Sequence, residues 1–127
     1  MAVSPSMPIL IVDDYNTMIR ILRNLLRQLG FSNIDEASDG RTALTKLRTK
    51  EYALVISDSS MAPMSGLELL QRLRADERTA ATPFVMVAND AEADANAATR
   101  AGASSYIVKP FNAQTLKTKL VGVFGAF

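Results

Sequence analysis

The chain has neither cysteine nor histidine. The first absence excludes disulfides and thiolate chemistry. The second excludes imidazole general-base catalysis and His-ligated metals, and it means the chain cannot be its own phosphohistidine donor. Charge of one sign is scarce too. The formal net charge is +1, whereas proteins that hold a nucleic-acid backbone are usually strongly basic, so no nucleic-acid partner is expected. No apolar run approaches the roughly 20 residues that cross a bilayer. The start, Met1-Ala2-Val3-Ser4-Pro5-Ser6, lacks the basic and then apolar pattern of a signal peptide. Neither a membrane partner nor secretion is expected, and a cytoplasmic protein is the simplest reading. What is present is ordinary: 48% apolar and 21% charged residues over 127 positions, enough for one core and one domain.

Short apolar runs alternate with helical patterns five times. Strands are expected at Ile9–Val12, Ile34–Glu36, Leu54–Ser57, Phe84–Val87 and Ser105–Val108. Runs with no polar alternation read as parallel strands covered on both faces. The first helix, about Thr17–Leu29, repeats Met18, Ile21, Leu22, Leu25, Leu26 and Leu29 at helical spacing, and Gly30 stops it. The others are expected near Arg41–Thr49, Leu67–Asp76, Ala91–Ala101 and Ala113–Phe124. Ser65 with Glu68 reads as a capping box, and Asp90 and Asn112 as N-caps. Repeated βα units predict an α/β fold, a parallel sheet with right-handed crossovers and helices on both faces. Residues 1–7 read as a flexible N-terminus and 8–127 as the domain.

Charged residues stand where the strands end: Asp13 and Asp14 after the first, Asp58 after the third, Lys109 after the fifth. Ligands of open α/β sheets collect at the carboxyl ends of strands, so these four groups converge at one edge. Carboxylates brought together resist ionising unless a cation is present. A hard divalent ion such as Mg²⁺, completed by water and phosphate oxygens, resolves that conflict. Asp-Asp alone would suit turn or cap chemistry equally well. In combination with Asp58 and Lys109-Pro110 it does not.

In this order, Val12-Asp13-Asp14, Val55-Ile56-Ser57-Asp58, Gly66-Leu67-Glu68-Leu69-Leu70, Gly102-Ala103-Ser104 and Lys109-Pro110-Phe111 resemble the receiver domain of two-component response regulators. The resemblance runs from about Pro8 onward and is nearest to the single-domain chemotaxis type. It implies a flavodoxin-like, doubly wound five-stranded sheet of order 2-1-3-4-5. It also implies that Asp58 accepts a phosphoryl group from a sensor histidine kinase or a histidine phosphotransfer protein. Asp14, Asp58 and the backbone carbonyl of Ser60 would ligate Mg²⁺, with Asp13 acting through water. Lys109 would contact the phosphoryl group, ahead of a cis bond to Pro110.

The sequence departs from that pattern in places. Ala88 stands where the family has Thr or Ser to bond the phosphoryl group, and such a bond to a charged group is worth about 1.5–3 kcal/mol. Much of the link between phosphorylation and output, typically about 1–3 kcal/mol, is therefore expected to be missing. Asn89, where a small residue is usual, narrows access to Asp58, and Asp90 is a second modulatory position. The proline of Met61-Ala62-Pro63 falls one place late. The fourth helix, rich in alanine, has no large anchor and is expected to be weakly held. Tyr106 occupies the family's aromatic switch position, and space beneath Ala88 predicts an inward ring.

Arg20, Arg23 and Arg27 form a basic face on the first helix, a candidate kinase-docking surface. The face formed by the fourth helix, fifth strand and fifth helix is the candidate site for a downstream target. A monomer is expected, with a weak dimer through that face as the alternative. The leading reading is a receiver without enzymatic turnover, and a pseudo-receiver or phosphate sink is its variant. An aspartyl-phosphate phosphatase of the haloacid dehalogenase type needs a second Asp two places after the nucleophile, where Ser60 stands. A flavodoxin-like cofactor carrier would meet repulsion from Asp13 and Asp14.

Overall fold

The computed structural model describes residues 4–88 and 93–125, and for 93–95 the backbone alone. Ten elements alternate along the chain: β1 (Ile9–Val12), α1 (Asn16–Gln28), β2 (Ile34–Ala37), α2 (Gly40–Thr49), β3 (Leu54–Asp58), α3 (Gly66–Ala75), β4 (Phe84–Ala88), α4 (Ala93–Ala101), β5 (Ser105–Val108) and α5 (Ala113–Phe124). The strands form one parallel sheet in the expected order, β2-β1-β3-β4-β5. Ile9 stands opposite Ile34 and Leu54, Val55 opposite Phe84, and Val85 opposite Ser105.

Successive strand residues point to opposite faces, and here both faces are covered. Ile9, Ile11, Ile56, Val85 and Ile107 pack against Leu22 and Leu26 of α1 and Leu116 and Leu120 of α5. Leu10, Val12, Val55, Phe84 and Met86 pack against Leu47, Leu69, Leu70, Leu73 and Ala98 of α2, α3 and α4. This double cover is why the three inner strands β1, β3 and β4 carry no polar alternation.

Helix starts cluster near the carboxyl edge of the sheet, and among the described residues three are capped by side chains. Asp39 accepts from the Thr42 amide at 2.7 Å, Ser65 from Glu68 at 3.1 Å, and Asn112 from Thr115 at 2.9 Å. The capping box is half realised, because the Glu68 carboxylate pairs with Arg72 one turn on, at 3.4 Å. Gly30, at φ +102°, ends α1 in the left-handed region that favours glycine.

Several expectations need correction. β3 and β4 each run one residue further than expected, so Asp58 and Ala88 are strand residues, with Asp58 paired to Val87. Helix α1 buries Ile19, Leu22 and Leu26, while Ile21 is 41% exposed. Two residues on from Ile19 is about 200° around a helix, so only one of these isoleucines faces the sheet. Residues 4–7 lie against the segment that follows α1. The Ser32 amide and the Asn33 side chain donate to the carbonyls of Pro5 and Ser6, and Met7 is buried. The proposed cap at Asp90, the modulatory position Asn89, and Phe127 lie outside the described residues. Helix α4 buries Ala98, and Arg74 of α3 reaches the turn just after it. That guanidinium donates to the carbonyls of Gly102, Thr79, Ala80 and Thr82. Among the described residues, no helix is long and apolar enough to cross a membrane.

Candidate functional site

The carboxyl ends of β1, β3 and β5 lie at the same edge of the sheet, staggered by up to two residues, and bring the charged groups together. Asp13 follows Val12, and its amide donates to Ala37 at 3.1 Å. Its Oδ1 accepts the Tyr15 amide at 2.9 Å, a short turn that fixes the side chain and leaves Oδ2 buried without a hydrogen-bond partner. Asp58, the last residue of β3, is 4% exposed. Oxygens of Asp13, Asp14 and Asp58 lie within 4.8 Å of one another. Of the three, Asp14 is exposed and forms the rim.

From β5, the Lys109 amide donates to the Ala88 carbonyl at 2.9 Å, and the ammonium lies 3.2 Å from Asp58 Oδ1. That oxygen has the lysine's charge beside it but no aligned hydrogen bond. The Lys109-Pro110 peptide is cis, as the family resemblance implies, and so is Ala62-Pro63 in the loop after β3.

The electrostatics are unbalanced. Burial, followed by the nearby Asp58 charge, raises the Asp13 carboxyl to about 6 against the restraint of the Tyr15 amide. Two anions at this separation repel by at least about 3.5 kcal/mol at an effective dielectric of about 20. A single lysine cannot offset three carboxylates. The donor set is all oxygen, and two buried carboxylate oxygens, on Asp13 and Asp58, lack hydrogen bonds. Hard oxygen donors with spare lone pairs suit Mg²⁺ better than softer transition metals, so the residues present fit that ion. Ser60 is exposed in the loop two residues beyond Asp58.

Ala88 is buried at the end of β4, opposite Val108, and presents a methyl group where the family has a hydroxyl. Tyr106 is half-buried against the α2–α4 cluster. The Lys119 ammonium stands 4.6 Å from its ring centroid.

The three arginines of α1 differ in their surroundings. Arg23 is engaged with the sheet: its Nε lies 2.7 Å from Glu36 Oε2 and its guanidinium donates to the Ile34 carbonyl at 3.2 Å. Glu36 on β2 is distant in sequence, which hid the partner. Arg20 and Arg27 are exposed. The sequence also did not flag Tyr15, 62% exposed beside the carboxylates, or Ser57, whose hydroxyl is buried in β3. Two grooves of about 740 and 670 Å³ open elsewhere, around Arg48, Glu77 and Arg78. Convergent charge, rather than cavity size, marks the functional edge.

Comparison with known proteins agrees with this geometry. Residues 9–121 match the model of the response regulator receiver domain. The chain is 48% identical over 119 residues to the chemotaxis protein CheY of Pseudomonas aeruginosa, covering 93% of this chain and 96% of that protein. It is 48% identical over 120 residues to CheY-3 of Vibrio cholerae, covering 94% and 92%. Among solved structures, the chemotaxis regulator CheY4 of Vibrio cholerae superposes with a TM-score of 0.85 at 29% identity, covering 93% of this chain and 98% of that one.

Proposed function

The chain belongs to the response regulator receiver domain family, and from that premise we propose that it is a cytoplasmic, single-domain phosphorelay regulator of the chemotaxis type. It takes a phosphoryl group onto Asp58 and changes its protein partner in response. The observation that carries this reading is the pairing of Asp58 with Lys109 at 3.2 Å inside a carboxylate cluster.

The donor is a phosphohistidine on a sensor kinase or phosphotransfer protein. A carboxylate oxygen of Asp58 forms a bond to phosphorus as the P–N bond breaks. The bonding pair leaves with the imidazole nitrogen, and the product is an acyl phosphate. Lys109 is placed to follow the charge from the carboxylate to a phosphoryl oxygen, a role suited to a point-like ammonium. Asp13, Asp14 and Asp58, with the Ser60 carbonyl, would hold Mg²⁺. When bound, the ion offsets the cluster's charge and orients phosphoryl oxygens. Burial of Asp58 limits water at the reacting atom. The site has no second acid two places after the nucleophile, so the chain accepts phosphate without sustained turnover.

The downstream partner is assigned to the face made by α4, β5 and α5, which carries Tyr106 and Lys119. Arg20 and Arg27 are the exposed docking candidates for the donor, and the chain acts as a monomer. Ala88 supports a weakly switching variant of the same function: phosphate still loads, but no β4 hydroxyl draws the edge inward.

The test is intact mass after incubation with Mg²⁺ and acetyl phosphate, alongside Asp58→Asn. A labile phosphate adduct on the native chain alone is expected. An adduct on both proteins, or on neither while Mg²⁺ binds, would overturn Asp58 as the acceptor.

A further inference from the structure

Strand β3 reads Leu-Val-Ile-Ser-Asp, and all five residues are buried. Ser57 has no exposed surface. Its cross-strand neighbours, Val12 and Met86, both belong to the apolar cluster beneath α2, α3 and α4. A hydroxyl in such surroundings costs free energy unless it is bonded. Its bond is to the next residue: Ser57 Oγ donates to the Asp58 carbonyl at 3.0 Å.

That carbonyl stands beyond the paired stretch of β1, whose last residue, Val12, is opposite Ser57. On its other side it is hemmed in by Gly66, where a Cβ would fall 2.0 Å from the Asp58 oxygen. The amide of the same peptide unit, on Ser59, donates to the Val87 carbonyl at 2.9 Å. The peptide linking Asp58 to Ser59 is thus held at both ends, with Gly66 packed closely beside it. The orientation of that plane sets where the Asp58 side chain leaves the backbone. It also sets where the chain proceeds to Ser60.

We propose that Ser57 is a positioning residue: its buried hydroxyl aims the Asp58 carboxylate, and the metal-ligating loop after it, by bonding the Asp58 carbonyl. The inference rests on the reading of Asp58 as phosphoacceptor and Mg²⁺ ligand. Productive geometry in such sites is held within about half an ångström by groups that do not touch the substrate. One neutral hydrogen bond of this kind corresponds to about a 3- to 10-fold effect.

The experiment compares the native chain, Ser57→Ala and Ser57→Thr. It measures the Mg²⁺ dissociation constant by calorimetry, the rate of adduct formation from acetyl phosphate at saturating Mg²⁺, and the thermal midpoint. Ser57→Ala is expected to weaken Mg²⁺ binding and to slow phosphorylation of the folded protein, each by about 3- to 10-fold. Ser57→Thr keeps the hydroxyl and is expected to recover most of both. A lower thermal midpoint with native Mg²⁺ affinity and native rate would make the hydroxyl merely structural and overturn the proposal. If the Thr variant strains the strand, the carbonyl carbon shift of Asp58 in Ser57→Ala decides. An unchanged shift means there was no bond to lose. A native chain that binds Mg²⁺ but takes no phosphate refutes the acceptor reading and leaves the metal affinities to judge Ser57. A native chain that does neither overturns both.

Discussion

Replacing Asp13 by Asn tests the electrostatic account of the cluster most directly. Asn keeps the shape and an oxygen for the Tyr15 amide at 2.9 Å, but removes a buried charge. The folded protein raises this carboxyl from 3.8 to about 6, so between those pH values the folded chain binds a proton that the unfolded chain has released. By linkage, stability then falls as pH rises through that window, and the full cost persists above it. A change from 3.8 to about 6, at about 1.4 kcal/mol per tenfold, amounts to roughly 3 kcal/mol at neutral pH. In EDTA at about pH 7.5, Asp13→Asn should therefore be more stable by about 2–3 kcal/mol in urea unfolding. Its advantage should shrink as pH falls through about 6 and nearly vanish below 3.8. Saturating Mg²⁺ should narrow or reverse the ranking, because only the native chain keeps the full ligand set and a ligand that binds the folded state stabilises it. Equal stability in EDTA at neutral pH would refute the charge penalty. A gain of the same size near pH 3.5 would show that the benefit has some cause other than ionisation.

Ala88→Thr should enlarge the phosphorylation-dependent change in the Tyr106 ring environment, followed by ring proton shifts, since a bond to a charged group is worth about 1.5–3 kcal/mol. The same change as in the native chain would mean that the β4 hydroxyl is not what the switch lacks. Gly66→Ala forces a Cβ to within 2.0 Å of the Asp58 carbonyl. It should cost at least about 1–3 kcal/mol in denaturant unfolding and slow adduct formation; a neutral substitution would contradict the close approach. Arg23→Glu places like charges together at Glu36 and gives up the Ile34 bond, so it should lower stability by about 1 kcal/mol. Arg20→Glu should leave stability within about 0.5 kcal/mol while slowing transfer from the kinase. An unchanged urea midpoint for Arg23→Glu, or unchanged transfer for Arg20→Glu, would reverse the division made on α1.

Strands β1, β3 and β4 were legible because burial on both faces leaves continuous apolar runs such as Ile9–Val12. The end of β1 was legible because charge begins there, whereas β3 and β4 each run one residue past the expected end. The four charged groups of the site could be read for the same reason: Asp13, Asp14, Asp58 and Lys109 each sit at the boundary between a buried strand and a loop. Side-chain pairing could not be read. The partner of Arg23 is Glu36, on the edge strand, and only the β2–β1 register brings the two together. The face of α1 was misjudged for a related reason. Ile19 and Ile21 are alike in composition, and only the direction of approach to the sheet decides which is covered.

By itself, then, the chain's order of residues determined the number and kind of elements, the edge where ligands gather and the chemistry available there, because these depend on local periodicity and on residue type. The tertiary structure decided what depends on distance between segments remote in sequence. It set Lys109 at 3.2 Å from Asp58, left oxygens of Asp13 and Asp58 buried without hydrogen bonds, placed Gly66 against the Asp58 carbonyl, and held Tyr106 under Lys119. Electrostatic and contact energies fall steeply with separation, and separation is set only once the sheet has closed.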